Sequence, residues 1–352
     1  MGKRRQNSSF FSNYKFEYEK DFDLKNKEKL IHNLFSFFEK ITKEIDFSSF
    51  EIGFSWPKKY DILIEFKYLV RDRLIELLNS KLEKKHDFTK HDAYFLIDLN
   101  KSSIFVYLMP VYVYGKYCKF SRGLAQTEYF CRFCKGNGCK KCDNTGLIIQ
   151  NSVEQLLSKK FVPKFVSKQI VLHGAGREDA DVLMLGNGRP FVLEIVCPKK
   201  RIIQLEELES EINSSFKEIS VNSLKFVSKD FVAKIKSFPF KKIYYAVVNC
   251  SKKIDLNNID LNKKIFIEQL TPTRVEKRRA LLKRKKEIIF LNFEQINDNE
   301  FGLKLKTSHG TYVKEFISGD NNKTVPSLGS ILGLNCVCKQ LDVLEICDQK
   351  LK

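Results

Sequence analysis

The sequence predicts an α+β protein in two unequal blocks, and three observations carry that prediction. Helix-period and strand-period apolar patterns alternate along the chain and never settle into a repeat. A tight run of paired cysteines, Cys131 to Cys142, separates a smaller N-terminal block from a larger C-terminal one. The 352 residues, 43% hydrophobic and 12% aromatic, supply enough apolar material for two or three domains.

In chain order, residues 1–26 are polar with scattered aromatics and are expected to be flexible. From Lys27 to Ile45, apolar side chains fall at Leu30, Ile31, Leu34, Phe35, Phe38, Ile41 and Ile45, a helical spacing with one face to bury. Ile62–Phe66 reads as a strand, and Arg71–Leu82 as a helix with Leu74, Leu77, Leu78 and Leu82 on its apolar side. Tyr94–Ile97 and Ile104–Leu108 read as strands around a turn at Asn100–Ser103. The cysteine segment and a helix from Ser152 complete a first domain, residues 27–160. In the second domain, residues 161–352, Asp181–Leu185 and Pro190–Val196 read as a hairpin turned at Gly186-Asn187-Gly188. An Asn-Gly pair supplies the positive φ angles such a turn needs. Gln204–Ser215 and Asp230–Ser237 read as helices, and Leu224–Val227, Ile243–Val248 and Ile288–Leu291 as strands.

Charge narrows the partners. Sixty-two Lys and Arg against 43 Asp and Glu leave a formal net charge of +19, which attracts polyanions. A composition rich in Lys, Asn and Ile accounts for part of that surplus. The strongest basic runs are Lys277-Arg-Arg279 and Lys283-Arg-Lys-Lys286. Apolar runs such as Ile104–Met109 are strand-sized, far short of the roughly 20 residues of a membrane helix. No hydrophobic stretch follows Met1–Gln6, so a soluble, cytoplasmic protein without a membrane partner is expected.

Cys131-Arg-Phe-Cys134 and Cys139-Lys-Lys-Cys142 are two CxxC pairs of the kind that bind metal inside cells. One structural Zn²⁺ held by all four thiolates is the expectation, since four sulfurs leave no open position for chemistry. The four-residue spacer is unusually short, which leaves open an unmetallated loop or a site completed by a distant ligand.

The stretch from His173 to Val182 is glycine-rich and acidic. Asp179 and Asp181 share strand parity, so both are expected to face one cleft, with Arg177 placed to keep a carboxylate ionised. Asp181 followed by Glu194 on a paired strand also suggests a metal-dependent nuclease. That chemistry wants a lysine two residues after the glutamate, where this chain has Val196. A non-catalytic RNA-binding module is the other alternative.

Gly176-Arg-Glu-Asp-Ala-Asp-Val-Leu-Met-Leu-Gly-Asn-Gly-Arg-Pro-Phe-Val-Leu-Glu-Ile195 resembles the signature of the tRNA pseudouridine synthase ten family of archaea and eukaryotes. Further segments agree in order: Tyr114–Tyr117 with Ser121–Thr127, the cysteines with Thr145-Gly146 and Ser152–Glu154, and Thr271–Arg274 with Arg278-Arg279. Gly310–Phe316, Pro326–Leu332 and Gln340–Val343 complete the set, which covers roughly residues 90 to 345. Departures stand at Leu183 and Leu270, where the family usually has Arg, at Tyr129 where Trp is common, and at Ala125 where Pro is common.

The resemblance implies an N-terminal THUMP-type α+β domain carrying the zinc-binding cysteine knot. It also implies a C-terminal pseudouridine synthase domain on a mixed, largely antiparallel sheet flanked by helices. It implies isomerisation of uridine in the TΨC loop of tRNA, at positions 54, 55 or both, without a catalytic cofactor. Asp179 would be the nucleophile, attacking C1′ of the sugar or C6 of the base. Tyr244 would stack on the base, with Tyr245 on the opposite face of the strand, and Lys314 would pair with the aspartate. Arg177, Arg189, Arg274, Arg278 and Arg279 would contact the RNA. A monomer with no obligatory protein partner is expected.

Overall fold

The computed structural model describes residues 14–17, 26–55, 64–254, 256 and 259–347, with the side chains of Ile64 and Arg278 outside that set. The first unit contains β1 (Tyr14–Glu17), α1 (Lys27–Glu44), β2 (Ser49–Ser55), α2 (Ile64–Leu82), β3 (Lys85–His86), β4 (Ala93–Asp98) and β5 (Ser103–Leu108). Its sheet runs β1-β5-β4-β2-β3, with β2 parallel to both β3 and β4. The spacing in α1 buries Leu30, Ile31, Leu34, Phe35, Phe38 and Ile41, and Asn26 caps the helix by accepting from Lys29 N at 3.1 Å.

Two expectations change here. Within the segment expected to be flexible, Tyr14–Glu17 pairs antiparallel with β5. Residues 64–66, expected to end a strand, instead open α2, while 62 and 63 lie outside the described residues. A short apolar alternation cannot be told from the start of a helix. Val70, Leu74 and Leu78, buried at four-residue intervals, show which period governs.

The second unit begins with β6 (Val111–Lys119), β7 (Tyr129–Phe130), β8 (Leu147–Ile149), α3 (Val153–Phe165), β9 (Gln169–Gly174) and β10 (Leu183–Val196). It continues with α4 (Leu205–Ser215), β11 (Ile219–Val227), α5 (Asp230–Ser237), β12 (Lys241–Cys250), β13 (Lys264–Gln269), β14 (Arg284–Asn297) and β15 (Glu300–Thr307). Last come α6 (Val313–Ser318), β16 (Thr324–Val325), α7 (Leu328–Leu332) and β17 (Cys336–Cys347). The large sheet runs β11-β6-β10-β17-β12-β15-β14-β13-β16, with β9 also on β10. All its pairings are antiparallel except β10 with β17. Helices α3 and α5 contact β9 and β10, α4 contacts β11, and α6 contacts β17. No described helix is long and apolar enough to cross a membrane.

The two hydrophobic cores divide between Leu108 and Val111. Strand β6, on the N-terminal side of the boundary expected at 160, therefore sits inside the large sheet between β11 and β10. The units are tied together by Arg201, which pairs with Asp92 at 3.1 Å and donates to Met109 O at 2.7 Å. Tyr14 Oη also donates to Cys197 O at 2.9 Å.

The expected hairpin at Gly186-Asn187-Gly188 is a bulge inside one long strand. Strand β10 runs from Met184 to Arg189 while its partner β6 advances only from Lys119 to Tyr117. The positive φ angles are present, 65° at Gly186 and 80° at Gly188, but they serve to dock the bulge on β17. Asn187 Nδ2 donates to Ile346 O at 2.9 Å, and Ile346 N donates to Asn187 Oδ1 at 3.2 Å. A Cβ on Gly186 would lie 1.9 Å from Leu344 O, so the close approach requires glycine.

Candidate active site

Asp179 and Asp181 lie in the loop between β9 and β10, so a turn rather than strand parity brings them together. Two cations, Lys119 and the exposed Arg122, hold the backbone of that loop. Lys119 Nζ, fully buried, donates to Leu124 O at 2.7 Å, Asp179 O at 3.2 Å and Ala180 O at 3.0 Å. Arg122 donates to Asp181 O at 2.6 Å and pairs with Asp342 at 2.8 Å, and Asp342 in turn accepts from Leu183 N at 3.1 Å. With three consecutive carbonyls occupied, the Asp179 carboxylate is left to line the cleft, while that of Asp181, 65% exposed, stands beside it outside the cavity lining.

The side chain of Asp179 is 42% exposed and faces two cations. Arg274 Nη1 lies 3.1 Å from its Oδ2 and Lys314 Nζ 3.5 Å. Lys314 also holds Asp181 at 2.7 Å. Burial raises the Asp181 carboxyl, but the Lys314 hydrogen bond and charge outweigh it and leave it below its ordinary value. Lys314 reaches the cleft because its α6 neighbours Val313, Phe316 and Ile317 are packed in the core. The next residue, Glu315, is buried and takes Arg274 Nε at 2.5 Å. One guanidinium therefore bridges Asp179 and α6. The arginine beside Asp179 is Arg274; Arg177 turns toward Tyr129, 5.9 Å from its ring centroid.

Beneath the loop, Tyr244 and Lys242 project from the same face of β12 into a cavity of 760 Å³. Burial raises the Tyr244 phenol to about 12, so it stays protonated at neutral pH. Tyr245 faces the other way, toward Glu294. Arg189 borders the cavity from its floor and is almost wholly buried. Its side chain is 1% exposed and its Nε lies 2.7 Å from Glu178 Oε2, while Nη1 donates to Ala175 O at 2.7 Å. Tyr117 Oη donates to the other oxygen of Glu178 at 2.8 Å. The residue next to Asp179 is thus pinned from below.

Arg177, Arg279, Arg284 and Lys286 make the cavity wall basic. Arg278 ends the 3-10 turn that carries Arg274, and its side chain lies outside the described residues. Glu194 is not grouped with Asp181; it contacts His173 at 3.0 Å.

The cysteines form the expected cluster. Sulfur separations are 3.9 Å for Cys131–Cys139, 3.7 Å for Cys134–Cys142 and 3.7 Å for Cys139–Cys142. Four sulfurs at about 2.3 Å around a tetrahedral ion stand about 3.8 Å apart, so these residues, all within 4.8 Å of one another, fit a bound metal. The stem of this knot, β7 and β8, also places Tyr129 and Ile149 in the cavity wall.

Sequence reasoning missed Lys119, Arg122, Glu178, Lys242 and Glu315. Only Lys242 carried a local signal, its parity with Tyr244 two residues later.

The sequence model of the family described as Pus10, C-terminal, matches residues 112–347, a span that includes the knot, the acidic loop and Lys314. The chain belongs to the Pus10 family. Three archaeal relatives carry the name tRNA pseudouridine synthase Pus10. That of Methanosphaera stadtmanae is 38% identical over 299 residues, covering 80% of this chain and 74% of its own. That of Methanocaldococcus jannaschii is 38% identical over 344 residues, covering 94% and 74%. That of Archaeoglobus fulgidus is 34% identical over 325 residues, covering 88% and 91%. Among solved structures, a chain of a Cbf5-Nop10-Gar1 complex overlaps loosely, with a TM-score of 0.33 and 11% identity over 66% of this Pus10-family chain and 48% of that one.

Proposed function

We propose that this chain is a tRNA pseudouridine synthase that isomerises a uridine of the TΨC loop, at position 54, 55 or both, with Asp179 as nucleophile. The observation that carries this reading is the half-exposed Asp179 carboxylate, held by Arg274 and Lys314 at the mouth of a basic cavity with Tyr244 below it. Two cations hold the carboxylate at the cavity mouth and aim it, as covalent catalysis requires. Asp179 attacks C1′ or C6; the N1–C1′ bond breaks, the base turns, and C5 bonds to C1′. Atoms and redox level are conserved, so the chemistry calls for no catalytic cofactor.

The cavity can hold a base only after the nucleotide leaves its stack, which costs roughly a few kcal/mol. Phosphate contacts from Arg177, Arg274, Arg278 and Arg279 supply that energy, and Tyr244 stacks on the base. Arg189 acts from beneath, through Glu178. The four cysteines hold one structural Zn²⁺, and the protein works as a cytoplasmic monomer without an obligatory protein partner.

The test is incubation of purified protein with unmodified tRNA followed by chemical mapping of pseudouridine. New pseudouridine in the TΨC arm, abolished by Asp179→Asn with tRNA binding retained, is the expected outcome. No new pseudouridine across several tRNAs would refute the assignment. A pure RNA-binding module would bind tRNA and show no activity to lose.

A further inference from the structure

Lys242 is an unusual charged group among the described residues. It is 6% exposed, yet it lines the cavity, and among the described residues no hydrogen-bond acceptor or ion-pair partner holds its ammonium. A buried ammonium without a partner is costly, so a fold that keeps one has left its acceptor to come from elsewhere. Its surroundings offer little compensation. A methyl built on Gly176 would lie 3.2 Å from Lys242 Nζ and 3.3 Å from Arg189 Nη1, so the two cations share one space under the acidic loop. Lys286 of β14 and His309, before α6, also face it. The opposing charge acting on it among the described residues is Glu178, which is already bound by Arg189 and Tyr117.

We propose that Lys242 is a further substrate-binding and catalytic residue of this site, donating to a carbonyl oxygen of the inserted uracil and stabilising the charge the base gains during the reaction. The inference rests on the function proposed above. When Asp179 bonds to C1′, the N1–C1′ bond breaks and its pair stays on the base, spread over N1, O2 and O4. When Asp179 adds to C6, the pair displaced from the C5–C6 double bond rests on C5 and O4. Either route charges a carbonyl oxygen, and a preorganised donor in a dry site is worth most where charge develops. The turn that exchanges N1 for C5 also exchanges the two carbonyls, because uracil is symmetric about the axis through N3 and C6. A fixed donor beside one carbonyl therefore meets the other after rotation. Lys242 keeps its proton throughout, and the proton lost from C5 balances the one gained at N1. The 4-amino group of cytosine offers a donor at that position, so the same ammonium disfavours cytosine.

Burial, with Arg189 and Lys286 nearby, lowers the Lys242 pKa to about 7 against the partial counterpull of Glu178. A role that needs the proton therefore leaves a signature in the pH dependence. The experiment measures kcat and KM for unmodified tRNA with the full-length chain and with Lys242→Met and Lys242→Gln, alongside pH profiles and melting temperatures. Wild-type kcat/KM is expected to fall above about pH 7. Lys242→Met is expected to lose roughly 100- to 1,000-fold in kcat, the loss typical of one such donor, with KM within a few-fold. Its alkaline limb should disappear and its melting temperature should hold or rise. A merely structural lysine would instead lower the melting temperature and leave the pH limb in place. A wild-type profile flat through the alkaline range overturns the role of Lys242 without any variant, as does a folded variant with near wild-type kcat. If the wild-type chain forms no pseudouridine, the underlying function falls with it; an active wild type with an unaffected variant removes only Lys242.

Discussion

Replacing Arg189 with Met separates its place in the structure from its place in the sequence pattern. Methionine preserves the apolar stem but strands the Glu178 carboxylate, whose side chain is 1% exposed and 2.7 Å from the guanidinium it loses. Breaking a buried pair this way typically costs about 3–5 kcal/mol. The hydrogen bond to Ala175 O adds about 1 kcal/mol. The deficit is thus expected at about 4–6 kcal/mol at pH 7, measured by urea unfolding followed by circular dichroism. Adding Glu178→Gln removes the stranded charge and should recover most of the loss. The salt dependence of tRNA binding should keep its wild-type slope, because no phosphate contact is lost. A deficit under about 1 kcal/mol at pH 7, together with a slope reduced by about 0.7–0.9, would refute the reasoning and return Arg189 to the RNA contact its motif suggests.

Arg279→Gln or Lys286→Gln should show the opposite pattern, a reduced salt slope with little change in unfolding, read by tRNA titration at several ionic strengths. Cys134→Ser or chelation should release one metal ion per chain and lower the melting temperature more than the chemical rate measured at low temperature, checked by a colorimetric zinc assay beside single-turnover kinetics. Lys242 also makes a sign-definite prediction. Its folded pKa, about 7, lies below the ordinary 10.5, so the unfolded chain binds more protons between those values and stability from this group rises with pH there. The gain in melting temperature from Lys242→Met should therefore be larger at pH 6.5 than at pH 9.

Much of this protein could be read along the chain because the relevant physics is local. The stripe in α1, the bounds of α5, the two CxxC pairs and the parity of Tyr244 against Tyr245 depend only on period and spacing. The mixed, largely antiparallel sheet and the nearness of Lys314 to Asp179 came through resemblance to a family, not through local pattern. Gly186-Asn187-Gly188 shows the limit. Its positive φ angles were legible, but the hydrogen bonds from Asn187 to Ile346 that turn a hairpin signal into a bulge come from a strand far along the chain.

The sequence by itself determined where α1, α4 and α5 lie, where the sulfurs cluster, and that an acidic loop lies in a basic chain. Only the tertiary structure decided which cation serves which acid: Arg274 rather than Arg177 beside Asp179, Arg189 drawn under the floor to Glu178, and Lys119 spent on backbone carbonyls. Secondary structure follows from neighbours a few residues apart, whereas the partner and burial of a charge depend on strands that meet only after folding. Lys242 is the clearest case. In sequence it is one lysine among many, and its buried position at the cavity, with no partner among the described residues, exists only once β12 lies beneath the loop that carries Asp179.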